Sequence, residues 1–338
     1  MGEDLTALAK RIEAHVGAAT GAPAAVSTIA RLPGGACQEL FRVDLATAGF
    51  EGRVVLRSDA PRSLPGSIDR RQEFRVIEAA LAAGVRTPRV QWLTEGLVRD
   101  GAHAYFMDWA DGEAIGRRVV RNAELEAARA KLPAELGAEL ARIHSITPAR
   151  APQLFPSVVA DAAADRIRFA RAMIDRLREP HPALEFALRW LSSHAPATRE
   201  VVLLHGDFRT GNFMVTPLGL AAVLDWEFSH WGAPAEDLAW ISLRDWRFGR
   251  LDRPVGGFGA REPFYDAYER ESGRRVDRRD VRWWEIMGNV WWAAGCVCQG
   301  ERYLSGEESD LELVAISRRS AEMEFEALRL IEAGYGGA

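Results

Sequence analysis

Short apolar, β-branched runs separated by glycine-bearing breaks mark the first hundred residues, at 26–32, 40–45 and 53–57. Strand-length runs between turn residues predict antiparallel strands. The period changes over 67–83, where Phe74, Ile77 and Leu81 stand three and four apart. That spacing predicts a helix, capped by Ser67, with Asp69 in its first turn and Gly84 at its end. A second β group follows at 90–92, 97–98 and 104–109. Beyond Gly112 the helical period takes over. Pro133 suits a first turn, and Leu136, Leu140 and Ile143 carry an apolar stripe to Ile146. Residues 158–177 and 182–194 predict two more helices. A small β island at 201–204, 213–215 and 222–224 interrupts them, and 235–331 reads as nearly all helix. At the N-terminus, 1–17 reads as an amphipathic helix.

This order implies a β-rich N-terminal lobe at 1–107, a connector at 108–112, and a helical lobe at 113–338 with a small β insert. A chain of 338 residues is long enough for two such lobes and a sizeable core. With 48% hydrophobic and 27% charged residues, it has the balance of a globular chain rather than a disordered one. A net charge of −5 argues against a general nucleic-acid binder, which needs a basic excess against phosphates. The three cysteines, Cys37, Cys296 and Cys298, form no CxxC pair, so they give neither a disulfide framework nor a zinc site. Their sparseness points to a reducing cytoplasm. No stretch approaches the length needed to cross a bilayer. The N-terminal helix carries charges throughout, unlike a secretion signal.

The chemistry concentrates in Val201-Val202-Leu203-Leu204-His205-Gly206-Asp207-Phe208-Arg209-Thr210-Gly211-Asn212-Phe213-Met214-Val215. An apolar strand delivers a loop bearing Asp207, and Asn212 stands at the entry to the next strand. Further on, Val223-Leu224-Asp225-Trp226-Glu227 places a carboxylate at the end of another apolar strand. Phosphoryl transfer to a hydroxyl needs a carboxylate to orient the hydroxyl and take its proton, and hard oxygen ligands for Mg²⁺. One Asp, one Asn and a second Asp at strand ends meet that list. From average residue usage, a His-x-Asp-x4-Asn match arises in roughly one chain in a hundred of this length, and the flanking strands lower that further.

From His205 to Asn212, with Asp225 beyond, the chain resembles the catalytic and metal-binding core of the aminoglycoside phosphotransferase and choline kinase superfamily. Leu224-Asp225-Trp226-Glu227, Gly232-Ala233-Pro234 and Asp237-Leu238-Ala239-Trp240 most resemble the branch related to the kinase-like domain of certain acyl-CoA dehydrogenases. The resemblance implies an α+β, protein-kinase-like bilobal fold: a small antiparallel-β N-lobe with one long helix, and a large, mainly helical C-lobe. It implies ATP and Mg²⁺ as cofactors, with Asp207 as catalytic base and Asn212 and Asp225 as metal ligands. Arg209 stands near the position of a phosphate-side lysine in protein kinases. Asp237 matches a carboxylate that braces the catalytic loop, and His205 would lock that loop. In the N-lobe, Gly34 and Gly35 resemble the glycine-containing loop over the phosphates. Arg57 takes the place of the usual phosphate-binding lysine, keeping the charge with a different geometry. Glu73 is its matching ion-pair partner. Tyr105-Phe106-Met107-Asp108-Trp109-Ala110 resembles the connector, where the Asp108 carbonyl and the Ala110 N–H would face the adenine edge.

Several features carry no catalytic reading. His144 reads as a hydrogen-bonded structural histidine, and Trp283, Trp284, Trp291 and Trp292 as packing between helices. The implied acceptor is a hydroxylated small molecule, bound by a monomer or homodimer without nucleic acid or membrane. Two versions stand: a hydroxyacyl-CoA or hydroxy acid, or an aminoglycoside or macrolide. Arg244, Arg247, Arg250, Arg253 and Arg261 lean towards an anionic acceptor, since a polycation favours an acidic pocket. A nucleotide-binding regulatory module without turnover is the alternative from another class. The segment 247–261, rich in Gly, Arg and Pro, reads as a mobile or substrate-facing loop, or as a solvated connector.

Overall fold

The computed structural model describes residues 5–32, 38–306 and 309–335, divided into two units. The first comprises Met1–Gly112 together with Ala221–Ser229, and the second Glu113–Leu220 with His230–Ala338.

The first unit is built on α1 (Leu5–Thr20), β1 (Ala25–Arg31), β2 (Gln38–Thr47), β3 (Phe50–Asp59), α2 (Arg70–Ala82), β4 (Val90–Glu95) and β5 (His103–Asp108). The strands form one sheet in the order β1-β2-β3-β5-β4, with neighbouring strands antiparallel. Leu8, Ile12 and Val16, four apart on α1, are fully buried and join Phe41, Val43, Val54, Leu56 and Phe106 in one core. The helix expected over 67–83 starts later, at Arg70. The Asp69 side chain, not Ser67, is its cap, accepting the Gln72 N–H at 2.7 Å. Ser67 instead donates its hydroxyl to the Leu64 carbonyl at 2.8 Å. The pair Leu97 and Val98, expected as strand, lies in the turn between β4 and β5.

The second unit carries α3 (Gly116–Arg121), α4 (Glu126–Ile143), α5 (Ala162–Ile174), α6 (Pro182–Ser193), β6 (Val202–Leu204), β7 (Phe213–Thr216) and β8 (Gly219–Val223), whose end leads back into the first unit. Then follow β9 (His230–Gly232), α7 (Pro234–Trp240), α8 (Arg261–Ser272), α9 (Arg278–Leu304), α10 (Leu311–Ser317) and α11 (Ser320–Tyr335). Helix α4 begins before the expected first turn, leaving Pro133 inside it. It packs on α8, and α9 packs against α7, α10 and α11. The approach of α4 to α8 is close: a Cβ on Gly137 would lie 2.1 Å from the Phe264 carbonyl oxygen. Segment 247–261 is mixed: Gly249–Arg253 are exposed, whereas Val255–Gly259 are buried. Val255 pairs with Gly259, Val255 and Phe258 are buried, and Thr210 donates its hydroxyl to the Gly256 carbonyl at 2.9 Å. Among the described residues, no helix is long and apolar enough to cross a membrane.

Candidate active site

In the second unit, β6 pairs antiparallel with β9, and all three of its residues are buried. The chain then turns through Gly206, whose φ of 79° suits glycine. This turn hangs from Asp237, a fully buried residue in the first turn of α7. Its carboxylate accepts the His205 N–H at 2.7 Å and the Gly206 N–H at 3.0 Å. His144 Nε2 lies 3.4 Å from the same carboxylate, and His144 Nδ1 lies 2.9 Å from the Tyr268 hydroxyl. Burial pushes the imidazole's pKa down and outweighs the pull of Asp237, so His144 is neutral at pH 7. For Asp237, burial acts upward, but hydrogen bonds from His144 and the His205 N–H hold its carboxyl below the usual range. His205 Nδ1 in turn accepts the Asp207 N–H at 3.2 Å.

The Asp207 carboxylate, only 8% exposed as a residue, is held from three sides. Arg209 Nε donates to both oxygens, at 2.9 and 3.1 Å. Trp240 Nε1 donates to Oδ1 at 2.7 Å, and Asn212 Nδ2 donates to Oδ2 at 2.7 Å. A second bond from Asn212 Nδ2 reaches the Asp207 carbonyl at 2.9 Å. With the amide so oriented, Asn212 Oδ1 is left as an acceptor without a donor among the described residues. The Arg209 guanidinium lies 4.3 Å from the centre of the Trp246 ring. Gly211 makes room for it: with φ 115°, a Cβ there would sit 2.6 Å from Arg209 Nη1.

The first unit gathers the other predicted residues. Strand pairing sets Arg57 beside Tyr105, and Arg57 Nη2 donates to Glu73 at 2.8 Å and to Asp225 at 3.0 Å. Glu73, fully buried, also takes the Tyr105 hydroxyl at 2.7 Å and Arg70 Nη1 at 2.9 Å. Gln38 ties the group together, accepting from Arg70 at 3.1 Å and donating to Asp225 at 3.3 Å. Burial opposes the charge on Arg57, yet Glu73, Tyr105 and Asp225 hold its pKa above the ordinary value. Arg57 Nη1 has no partner among the described residues. Asp225 adopts a φ of 66°, a left-handed conformation that Asp tolerates better than most residues. Two residues on, burial and the Asp225 charge push the Glu227 carboxyl up to about 8.

Gly34 and Gly35 lie outside the described residues. At the connector, the Asp108 carboxylate accepts Arg89 Nε at 2.9 Å, while the Ala110 N–H carries no hydrogen bond among the described residues. Sequence reasoning missed Arg70, Tyr105 and Gln38. Arg70 stands one helical turn before Glu73, a legible signal, whereas Tyr105 and Gln38 reach the cluster only through strand register. The indole of Trp240 was visible as a motif residue, but not as a donor to Asp207.

Both constellations fit a nucleotide and a divalent cation in donor chemistry. Asn212 Oδ1 and the Asp225 carboxylate are hard oxygens, and Arg57 Nη1 is an open cationic donor. No group of three or more His, Cys, Asp or Glu able to hold a metal occurs among the described residues.

The sequence profile of the phosphotransferase enzyme family matches residues 28–274. Acyl-CoA dehydrogenase family member 11 of Rattus norvegicus is 25% identical over 315 residues, covering 84% of this chain but 38% of that protein. The chain thus spans less than half the length of that relative. In structure, the chain is similar to a Ralstonia eutropha protein described as an aminoglycoside phosphotransferase, with a TM-score of 0.74 and 21% identity over 96% of this chain and 98% of the other. A spectinomycin phosphotransferase solved with ADP and spectinomycin gives a TM-score of 0.60 and 12% identity, covering 90% and 94%. These likenesses identify a protein-kinase-like fold.

Proposed function

Because the chain belongs to the phosphotransferase enzyme family, we propose that it transfers the γ-phosphate of ATP to a hydroxyl of a small molecule. The observation that carries this reading is the Asp207 carboxylate, gripped by Arg209, Trp240 and Asn212 on a loop hung from buried Asp237. So held, Asp207 accepts the hydroxyl proton and aims the oxygen, which is the main task the protein has in this chemistry. Asn212 and Asp225 would each offer an oxygen to magnesium, which when bound neutralises charge on the transferring phosphate. Arg57 would meet the phosphates through Nη1 while Glu73 fixes its position. Arg209, already tied to Asp207, would steady negative charge beside the acceptor oxygen. Gly34, Gly35 and the Asp108–Ala110 connector would hold the nucleotide. The ADP seen in the spectinomycin phosphotransferase supports the nucleotide part of this reading.

For the acceptor, the relation to acyl-CoA dehydrogenase family members favours a hydroxyacyl-CoA or hydroxy acid over an antibiotic. The working state is a cytoplasmic monomer or homodimer. One observation favours a nucleotide-binding module without turnover: Arg57 spends Nη2 on Glu73 and Asp225. A screen of hydroxylated metabolites, CoA esters and antibiotics for Mg²⁺-dependent ADP release decides between them. Turnover that Asp207→Ala abolishes while ATP binding persists supports the kinase. Normal turnover in that variant sinks the role of Asp207, and ATP binding with no turnover on any acceptor favours the module.

A further inference from the structure

The second unit contains a cavity of about 600 Å³ whose lining includes Arg117, Arg121, Arg244, Arg318 and Arg319, against the carboxylates of Asp245 and Glu322. Its size is that of a small-molecule site. The sequence cluster Arg244 to Arg261 does not make it. Arg247 and Arg261 both bind Glu285, at 3.0 and 2.7 Å, while Arg250 and Arg253 pair with Asp252 at 3.6 and 3.3 Å. Only Arg244 of that group lines the cavity, and the other guanidiniums come from α3 and from the turn between α10 and α11.

The walls pack closely. Phe248, in a left-handed conformation with φ 48°, closes on Gly116 so tightly that a Cβ there would lie 2.1 Å from the ring. Arg121 donates to the Phe248 carbonyl at 3.3 Å. Asp245 is consumed by its neighbours, accepting Trp292 Nε1 at 2.6 Å and pairing with Arg319. Glu322 engages Arg244 at 3.6 Å. Arg117 and Arg318, both exposed, have no partner among the described residues. Two open guanidiniums therefore face a pocket whose carboxylates are already taken. The cavity also adjoins the catalytic loop's support, since Trp246 follows Asp245 and lies beneath Arg209.

We propose that this cavity receives a phosphate group carried by the acceptor, making the acceptor a phosphorylated, hydroxylated small molecule. Planar guanidinium forks match phosphate oxygens in pairs. A polycationic acceptor would meet the same charge and be repelled. The assignment of the phosphate to the acceptor rests on the kinase reading; the anion site itself does not.

The test is isothermal titration calorimetry of the whole chain with inorganic pyrophosphate, comparing the unchanged protein, Arg117→Gln/Arg318→Gln, and Arg57→Gln. The expected result is binding weakened about thirtyfold in the double variant and kept in Arg57→Gln, with affinity falling as salt rises. Binding lost only in Arg57→Gln, or insensitive to all three arginines, or absent from the unchanged chain, overturns the proposal. If the double variant fails to melt cooperatively, Arg318→Gln alone is judged by the same criterion, at about fivefold. Paired acceptors with and without phosphate, beginning with glycerol 3-phosphate and glycerol, complete the test. Preference for phosphorylated members, with KM raised in the pocket variant, supports the assignment. Turnover of neutral or cationic acceptors indifferent to Arg117 and Arg318 overturns it and leaves the kinase standing. Pyrophosphate binding at these arginines without any turnover has the reverse meaning: the anion site stands and the kinase reading falls.

Discussion

Trp240 Nε1 donates to Asp207 Oδ1 at 2.7 Å, linking the last residue of α7 to the carboxylate of the loop after β6. The indole is 6% exposed and packs against Trp246 and Trp291 at ring distances of 5.7 and 4.9 Å, so its direction is fixed by packing. Trp240→Phe keeps most of that packing and removes the N–H. A hydrogen bond to a charged group contributes about 1.5–3 kcal/mol, so kcat should fall roughly tenfold to a hundredfold. KM for ATP should change little. Steady-state kinetics with unchanged kcat would show that Arg209 and Asn212 alone orient Asp207.

Removing the Asp237 carboxylate should damage the loop through its backbone. Asp237→Ala leaves the N–H groups of His205 and Gly206 without their acceptor in a buried setting. Each orphaned donor costs about 1–3 kcal/mol, so urea unfolding should report a loss of about 2–6 kcal/mol. A loss below about 1 kcal/mol would mean that water or another group replaces the carboxylate.

Acid should weaken the second unit through the same pair. Burial depresses the pKa of His144, so below about 6.5 the unfolded chain takes up a proton that the folded chain refuses. The unfolded state then binds more protons, and stability falls as pH falls. Asp237 acts in the same direction at lower pH: its depressed carboxyl contributes stability present above the unfolded value of about 3.9 and lost as pH drops through its folded value. The thermal midpoint should decline from about pH 7.5 to 5, and His144→Gln should flatten the upper part of that decline. An equal slope in the variant would place the proton uptake elsewhere.

Glu73 sits between two buried guanidiniums, 2.8 Å from Arg57 and 2.9 Å from Arg70. Glu73→Ala leaves both charges short of a counter-ion and should cost about 3–5 kcal/mol in denaturant unfolding. Retention of full stability would mean that Asp225 beside Arg57 and Asp59 beside Arg70 neutralise both arginines unaided.

At the crossing of α4 and α8, Gly137→Ala introduces a methyl group 2.1 Å from the Phe264 carbonyl oxygen. Separating the helices to admit it should cost about 1–3 kcal/mol, read as a lower thermal midpoint. An unshifted midpoint would show that this contact is soft.

The loop that carries the candidate site was legible as a unit because its residues are local: His205, Asp207 and Asn212 lie within eight residues, between strands that announce themselves by their apolar runs. The arginine cavity was not. Its members are spread from Arg117 to Arg319, and the arginines adjacent in sequence turned out to be satisfied by Glu285 and Asp252. Charge counts along a chain cannot separate an engaged guanidinium from an open one. The cap of α2 shows the same limit at shorter range. Ser67 and Asp69 are both competent caps, and backbone geometry at Asp69 decided between them.

The segment Ala221–Ser229 belongs to the first unit although more than a hundred residues separate it from Gly112. It brings that unit Asp225, which Arg57 and Gln38 bind, and Trp226, whose indole N–H reaches the Thr87 hydroxyl at 3.2 Å. A fragment ending at Gly112 therefore lacks an internal strut, and a fragment starting at Glu113 carries that strut with nothing to join. Neither half is therefore a self-contained length of chain. A cut at the apparent boundary separates Arg57 from Asp225, so the sequence order and the spatial order of the first unit part company there.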